Sequence, residues 1–223
     1  MARIAMVVTN ACAPDPRVER HARWLVKDGH EVEILAWDRD GEHPAHETLS
    51  GYSITRTNFA KSSKRSSFST WMKKNKFISG LKIDADLLIL NDTDTADVNF
   101  NGKKLLDIHD MAHTWPLMRG KSFVHKWAAR KMLKQARRII SKSDAIIVSA
   151  PGFTDWTELQ EFEPVVVMNR RNPQSLEKCR MKVLGYFGRI REMNSIRFMI
   201  LIEFISLILP KYPRTLIRHF SSD

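Results

Sequence analysis

The chain has 223 residues, room for one large domain or one and a half ordinary ones at about 150 residues each. With 43% apolar and 9% aromatic residues it can bury a core, which excludes a wholly disordered chain. Thirty-six Lys and Arg against 25 Asp and Glu leave a formal charge of +11, which points to an anionic partner: nucleic acid, a phosphorylated substrate or acidic lipid. The two cysteines, Cys12 and Cys179, are too few and too far apart for a disulfide framework or a cysteine-rich zinc site. The apolar run after Met1 is too short for the core of a signal peptide. The stretch from Ser195 to Pro210 is interrupted by Arg197 and Glu203 and falls short of the roughly 20 residues that span a bilayer. These features describe a soluble, basic chain of a reducing compartment.

In chain order, Arg3 to Thr9 is a continuous apolar run, as expected of a strand buried on both faces. A loop with Pro14 and Pro16 follows. Pro16 suits the first turn of a helix with Asp15 as N-cap, and Val18, Ala22, Leu25 and Val26 recur at helical spacing. Gly29 ends that helix, and His30 to Trp37 supplies a second strand. Strand, helix and strand make a βαβ unit and imply a parallel sheet. Tyr52 to Phe59 alternates weakly as a third strand, Lys61 to Ser69 reads as a Ser/Lys-rich loop, and a short helix is expected around Phe68 to Phe77. Ala85 to Leu90 and Lys103 to His109 are buried strands, Phe123 to Ser141 is the strongest helix, and Ala145–Ser149 and Pro164–Met168 are two short strands. Residues 170–181 are polar and read as a linker. Lys182 to Gly188 restarts the strand-then-glycine pattern, with a helix from about Ser195 to Leu209. One strand and one helix cannot close a core, so 182–223 either docks on the first domain or opens a second one.

Several stretches converge. Asn10 to Arg20, Gly29-His-Glu-Val32, Ala36-Trp-Asp-Arg39, Asp84 to Asp92, Leu106-Asp-Ile-His-Asp110, Ser143 to Ser149 and Gly185-Tyr-Phe-Gly-Arg189 together resemble, in this order, family 4 glycosyltransferases. These are retaining enzymes of the glycosyltransferase-B fold, in which two Rossmann-like domains face each other across a cleft. The resemblance implies an α/β fold: a Rossmann-like doubly wound parallel sheet over 1–169, a linker at 170–181, and a βα fragment of the nucleotide-sugar-binding domain over 182–223. It implies sugar transfer from a nucleotide-sugar, the donor substrate, to a glycan or lipid-linked acceptor in polysaccharide assembly, with no cofactor and no metal. The fragmentary second domain leads to the expectation that the isolated chain is inactive, completed by a second subunit, or a remnant that binds anionic surfaces.

The same resemblance assigns roles. His109, at the carboxyl edge of the sheet where open α/β folds bind ligands, would orient the donor sugar. Arg17, at a helix N-terminus that attracts anions, would serve the acceptor side together with Asp110. Gly188 and Arg189 would approach the donor diphosphate, although Asn194 stands about where the family places a Lys. Asp92 and Asp94 around Thr93 read as a turn rather than as metal ligands.

Charge is unevenly spread. Ala60 to Lys82 carries seven Lys and Arg, and His113 to Lys142 carries nine, with no acid in either stretch. Helical spacing puts Phe123, Trp127, Ala128 and Met132 broadly on one side, which favours packing of these aromatics into the core. The acid-free charge favours an anionic membrane surface, contacted through Lys126, Arg130 and Lys134, with Trp115 and Trp127 available as interfacial anchors. No helix-turn-helix, zinc finger or RNA-binding aromatic motif supports specific nucleic-acid binding. The expected location is cytoplasmic, peripheral at the inner face of the membrane.

Overall fold

A computed structural model describes residues 1–59, 67–154, 156, 159 and 161–168. The expected linker at 170–181 and second-domain fragment at 182–223, with Gly188 and Arg189, lie outside the described residues. Twelve elements follow in order: β1 (Arg3–Val8), α1 (Pro16–Lys27), β2 (Glu31–Trp37), β3 (His46–Leu49), β4 (Tyr52–Thr57), α2 (Ser67–Gly80), β5 (Leu87–Asn91), β6 (Lys103–Ile108), α3 (Trp115–Arg119), α4 (Phe123–Ile140), β7 (Ala145–Val148) and β8 (Val165–Val166). The strands form one sheet in the order β3-β4-β2-β1-β5-β6-β7-β8, parallel except for the β3–β4 pair. The chain builds outward from β1 in one direction, then returns to place β5 on its other side. This reversal is the topological switch point of a doubly wound α/β sheet.

The continuous apolar runs are explained by what lies on each face. Ile4, Met6 and Val8 of β1, with Leu87 and Ile89 of β5, pack with Val18, Ala22 and Leu25 of α1. The intervening Ala5, Val7, Leu88 and Leu90 pack with Phe77 and Ile78 of α2 and with Ile139 and Ile140 of α4. Side chains alternate across a strand, so a sheet covered on both faces needs apolar residues at every position.

Local signals set the element ends. Asp15 caps α1 by accepting from the Val18 N–H at 3.2 Å, and Glu19 accepts from the Asp15 N–H at 2.9 Å. Gly29 takes a φ of +84° just past the helix, a conformation that favours glycine. Strand β3 has no counterpart in the sequence reading. It pairs antiparallel with β4 through the two-residue turn Ser50-Gly51, both with positive φ (+51° and +85°), which suits a tight hairpin.

The aromatics of α4 depart from expectation. Phe123 and Trp127 are exposed, Ala128 and Met132 are only half-buried, and the helix turns Ala129, Ala136, Ile139 and Ile140 to the core. The apolar stripe that anchors α4 therefore begins at Ala129 and is concentrated in its last two turns. Spacing alone placed it in the first half.

Leu88, fully buried in the central strand β5, should be among the most sensitive core positions. Leu88→Ala is expected to cost about 2–5 kcal/mol, whereas Leu49→Ala on the exposed hairpin edge should change stability by about 0.5 kcal/mol or less. Guanidinium unfolding of both variants checks this placement, and equal losses would contradict it.

Candidate functional site

The carboxyl ends of the parallel strands open into a cleft of about 370 Å³ lined by Asp15, Pro16, Arg17, His109, Asp110, Ser149 and Met168. The residues come from the start of α1 and from the segments that follow β6, β7 and β8. This is the edge at which open α/β sheets bind ligands.

Beside the cleft lies a buried charge cluster centred on Asp107, the fifth residue of β6 and fully buried. A carboxylate in the buried half of a strand, beside Leu105, Leu106 and Ile108, must be paired, because leaving it unsatisfied costs several kcal/mol. Arg17 supplies the pair. Its Nη2 donates to Asp107 Oδ1 at 2.5 Å and its Nε to Oδ2 at 2.9 Å, the side-by-side geometry of a guanidinium on a carboxylate. The remaining terminal nitrogen, Nη1, donates to the Val167 carbonyl at 2.5 Å. One side chain therefore ties the first helix to β6 and to the segment after β8. Two histidines complete the cluster: His21 Nδ1 lies 3.2 Å from Asp107 Oδ2, and His109 Nε2 lies 3.1 Å from the same oxygen.

Asp92 flanks His109 on the other side. Its φ is +67°, and its Oδ1 accepts the backbone N–H groups of His109 at 2.7 Å and Asp110 at 3.2 Å, which fixes the bend that brings both residues to the cleft. His109 Nδ1 stands 3.4 Å from Asp92 Oδ2, and the Ser149 hydroxyl donates to the His109 carbonyl at 2.9 Å. Thr9 donates to Asp94, so the second acid of the Asp92-Thr93-Asp94 turn also has a structural partner.

Electrostatics separate the two histidines. Burial pulls the His21 imidazole below its ordinary value, against the pull of Asp107, and the charges of Arg17 and Arg20 add to the lowering. His21 is therefore neutral at pH 7. Burial alone would lower His109 as well, but the charge and contact of Asp107 and the charge of Asp92 outweigh it and raise the imidazole to about 9. For Asp107, burial opposes ionisation, yet the charges of His109 and Arg17 hold its carboxyl well below the usual range. Burial pushes the Asp92 carboxyl up to about 6, moderated by His109. Between about pH 6 and 9, His109 is thus a cation held between two carboxylates. Burial also raises the Cys12 thiol to about 12, so Cys12 is no nucleophile at neutral pH.

The structure brings His109, Asp110 and Arg17 to one cleft. Arg17 needs correction in its chemistry. The sequence offers it as an open double donor for an acceptor anion, but it is 2% exposed and its donors serve Asp107 and Val167. The helix N-terminus beside it is likewise occupied by the Asp15 carboxylate. Lys126, Arg130 and Lys134 are exposed on α4 and do not line the cleft. The sequence reading passed over Asp107, His21, Ser149 and Met168. Asp107 carried a usable signal: a lone acid within Leu105-Leu-Asp-Ile108, a strand otherwise buried, requires a buried cation. The other three become neighbours only through the fold.

Opposite signs of linkage make a pH test sharp. His109 has a folded value above its ordinary 6.5, so its stabilising effect is complete below pH 6.5 and is lost as pH rises through about 9. The contribution of Asp107, held low, is present above the usual carboxylate range and lost as pH falls. Proton NMR should give a His109 titration midpoint near 9, and Asp107→Asn should move it down toward or below 6.5. A midpoint near 6.5 in the unsubstituted chain would contradict the cluster.

No family model and no curated protein matches the chain. Solved structures do. Sucrose-phosphate synthase from Thermosynechococcus elongatus is similar with a TM-score of 0.59 at 14% identity, over 78% of this chain and 49% of that one. TcCGT1, solved in complex with UDP, is similar with a TM-score of 0.50 at 11% identity, over 75% of this chain and 50% of that one. The chain spans about half the length of these proteins. It has the fold of one Rossmann-like half of a glycosyltransferase-B structure.

Proposed function

We propose that the chain is the acceptor-side half of a glycosyltransferase that moves a sugar from a nucleotide-sugar to a glycan or lipid-linked acceptor in polysaccharide assembly, as a retaining enzyme of family 4 type. The observation that carries this reading is the cleft at the sheet's carboxyl edge, in a fold shared with a protein solved with UDP. Its charge balance supports the acceptor side. Among the described residues the lining sets Asp15 and Asp110 against Arg17 and His109, and Arg17 is spent on the buried Asp107. A lining whose one guanidinium already serves Asp107 and Val167 suits hydroxyl donors better than a diphosphate. Asp110, exposed at the rim, is the carboxylate placed to accept a hydrogen bond from an acceptor hydroxyl. His109, with its nitrogens directed at Asp107 and Asp92, presents a fixed positive charge and orients the bound sugar.

Transfer through an oxocarbenium-like state requires both substrates to be held rigidly with water kept out. The donor phosphates would then be held by cations from a facing Rossmann-like unit, contributed by residues after 169 such as Gly188 and Arg189 or by a second subunit. The reading predicts little nucleotide release by the purified chain alone. The alternative, a chain without transfer activity that binds anionic surfaces, rests on the exposed basic face of α4. It predicts polyanion binding with no response to sugars.

Amide NMR of the full chain titrated with acceptor glycans and UDP-sugars separates these readings. Shifts should centre on His109, Asp110 and Ser149, and Asp110→Asn should weaken glycan binding at least tenfold, about 1.4 kcal/mol. Shifts elsewhere only, or unchanged affinity in Asp110→Asn, would contradict the proposal.

A further inference from the structure

Apolar exposure in this molecule is concentrated. Of the eleven exposed large hydrophobic side chains among the described residues, eight fall between residues 71 and 127, on α2, α3 and the start of α4. Single exposed apolar residues are ordinary, but a contiguous group marks an interaction site. Met118 is 82% exposed, Phe123 78%, Val124 67% and Trp127 55%, at the turn from α3 into α4. Trp115 and Trp71 are each 47% exposed. Behind this apolar tip the α4 shaft carries exposed Lys126, Arg130, Lys131 and Lys134, within a stretch of nine Lys and Arg that contains no acid. The tip and the shaft are tied together. Lys131 Nζ lies 5.3 Å from the Trp127 ring and 5.4 Å from the Trp71 ring, so one cation bridges aromatics of α4 and α2.

We infer that this surface docks on an anionic lipid bilayer, with the apolar side chains of the α3–α4 tip at the boundary of headgroups and acyl chains and with Arg119, Lys121 and the α4 cations at the headgroups. The combination of exposed apolar side chains with cations at the tip and along the shaft decides among occupants. A second copy would bring nine like charges against nine, a repulsion that disfavours a symmetric interface. A nucleic-acid backbone would satisfy the cations but leave Met118 and Val124 without a partner. A bilayer satisfies both, since aromatic residues with flanking cations suit the interfacial layer. Among the described residues no helix is long and apolar enough to cross a membrane, so contact is made from one side.

Topology gives the surface its use. Helix α4 leads back from the carboxyl end of β6 to the start of β7, which is parallel to β6. Its first turn therefore lies at the sheet edge that carries the cleft, and only four residues separate Asp110 from Trp115. A docked bilayer would face the acceptor side of the cleft, which makes an amphiphile anchored in the membrane the fitting acceptor. That last step rests on the proposed glycosyl transfer; the docking surface does not, and a sugar-free experiment tests it alone.

The test is sedimentation of the full chain with vesicles of neutral phosphatidylcholine, or of the same lipid with about a third phosphatidylglycerol. Binding should be at least tenfold tighter on the anionic vesicles and should weaken as salt rises from 0.1 M toward 1 M, where the Debye length falls from about 10 to about 3 Å. The triple variant Lys126→Glu, Arg130→Glu, Lys134→Glu should lose at least tenfold on anionic vesicles. Met118→Ser with Phe123→Ser should lose at least tenfold there too, while binding to heparin is unchanged. These positions are exposed, so circular dichroism should show both variants folded. Equal binding to the two vesicle types overturns the inference. So does full retention in the triple variant, or a serine variant that binds anionic vesicles as well as before, which would identify a charge-only polyanion surface.

Discussion

The buried pair of Arg17 and Asp107 is the interaction on which the site depends. It joins residues 90 positions apart, one in the first turn of α1 and one near the end of β6. Through the Val167 carbonyl it also anchors the end of the sheet. A buried ion pair is weak evidence for stability, because desolvation offsets much of the attraction. Here its value is positional. Removing Asp107 from water fixes the guanidinium on one side, and its Oδ2, which also accepts from Arg17 Nε, meets His21 and His109. The same carboxylate thus brings together the elements that line the cleft and sets the charge of the histidine that faces it.

Much of this was legible in the sequence, for identifiable reasons. Continuous apolar runs at Arg3–Val8 and Leu87–Asn91 announce strands covered on both faces, and Asp15, Pro16 and Gly29 mark the limits of α1 by capping chemistry that acts locally. His109 is legible at the cleft because a strand's carboxyl end is itself a local feature, whereas Asp110 follows from the resemblance carried by Leu106 to Asp110. Misreadings arose where the decisive interaction was non-local. Arg17 looks open in sequence because nothing within one helical turn pairs with it, and its partner comes from β6. The apolar stripe of α4 was placed too early in the helix, since periodicity identifies a face only when the partner surface runs the whole length of the helix. Strand β3 is short, polar and at the sheet edge, so it carried little hydrophobic signal, although Ser50-Gly51 between alternating residues was a turn signal.

The cleft and the basic apolar surface divide the positive charge of the chain in an instructive way. The cleft lining sets two carboxylates against two cations, while the flank beyond it comes from a stretch with nine Lys and Arg and no acid, of which Arg138 pairs with Asp97. A net charge of +11 therefore says little about the ligand of the cleft and much about the flank. Both regions grow from the segment between β6 and β7. Its first residues, His109 and Asp110, turn into the cleft under the control of Asp92, and its next ones form the exposed tip of α3 and α4.

The central claim is that Arg17 and Asp107 act as one unit. A double-mutant cycle measures this directly, from the unfolding free energies of Arg17→Met, Asp107→Leu and the double variant. Each single change strands a buried charge and should cost about 3–5 kcal/mol, while the double variant, with no charge left unpaired between the two positions, should cost less than the costlier single one. A double variant whose loss equals the sum of the two singles would contradict the account.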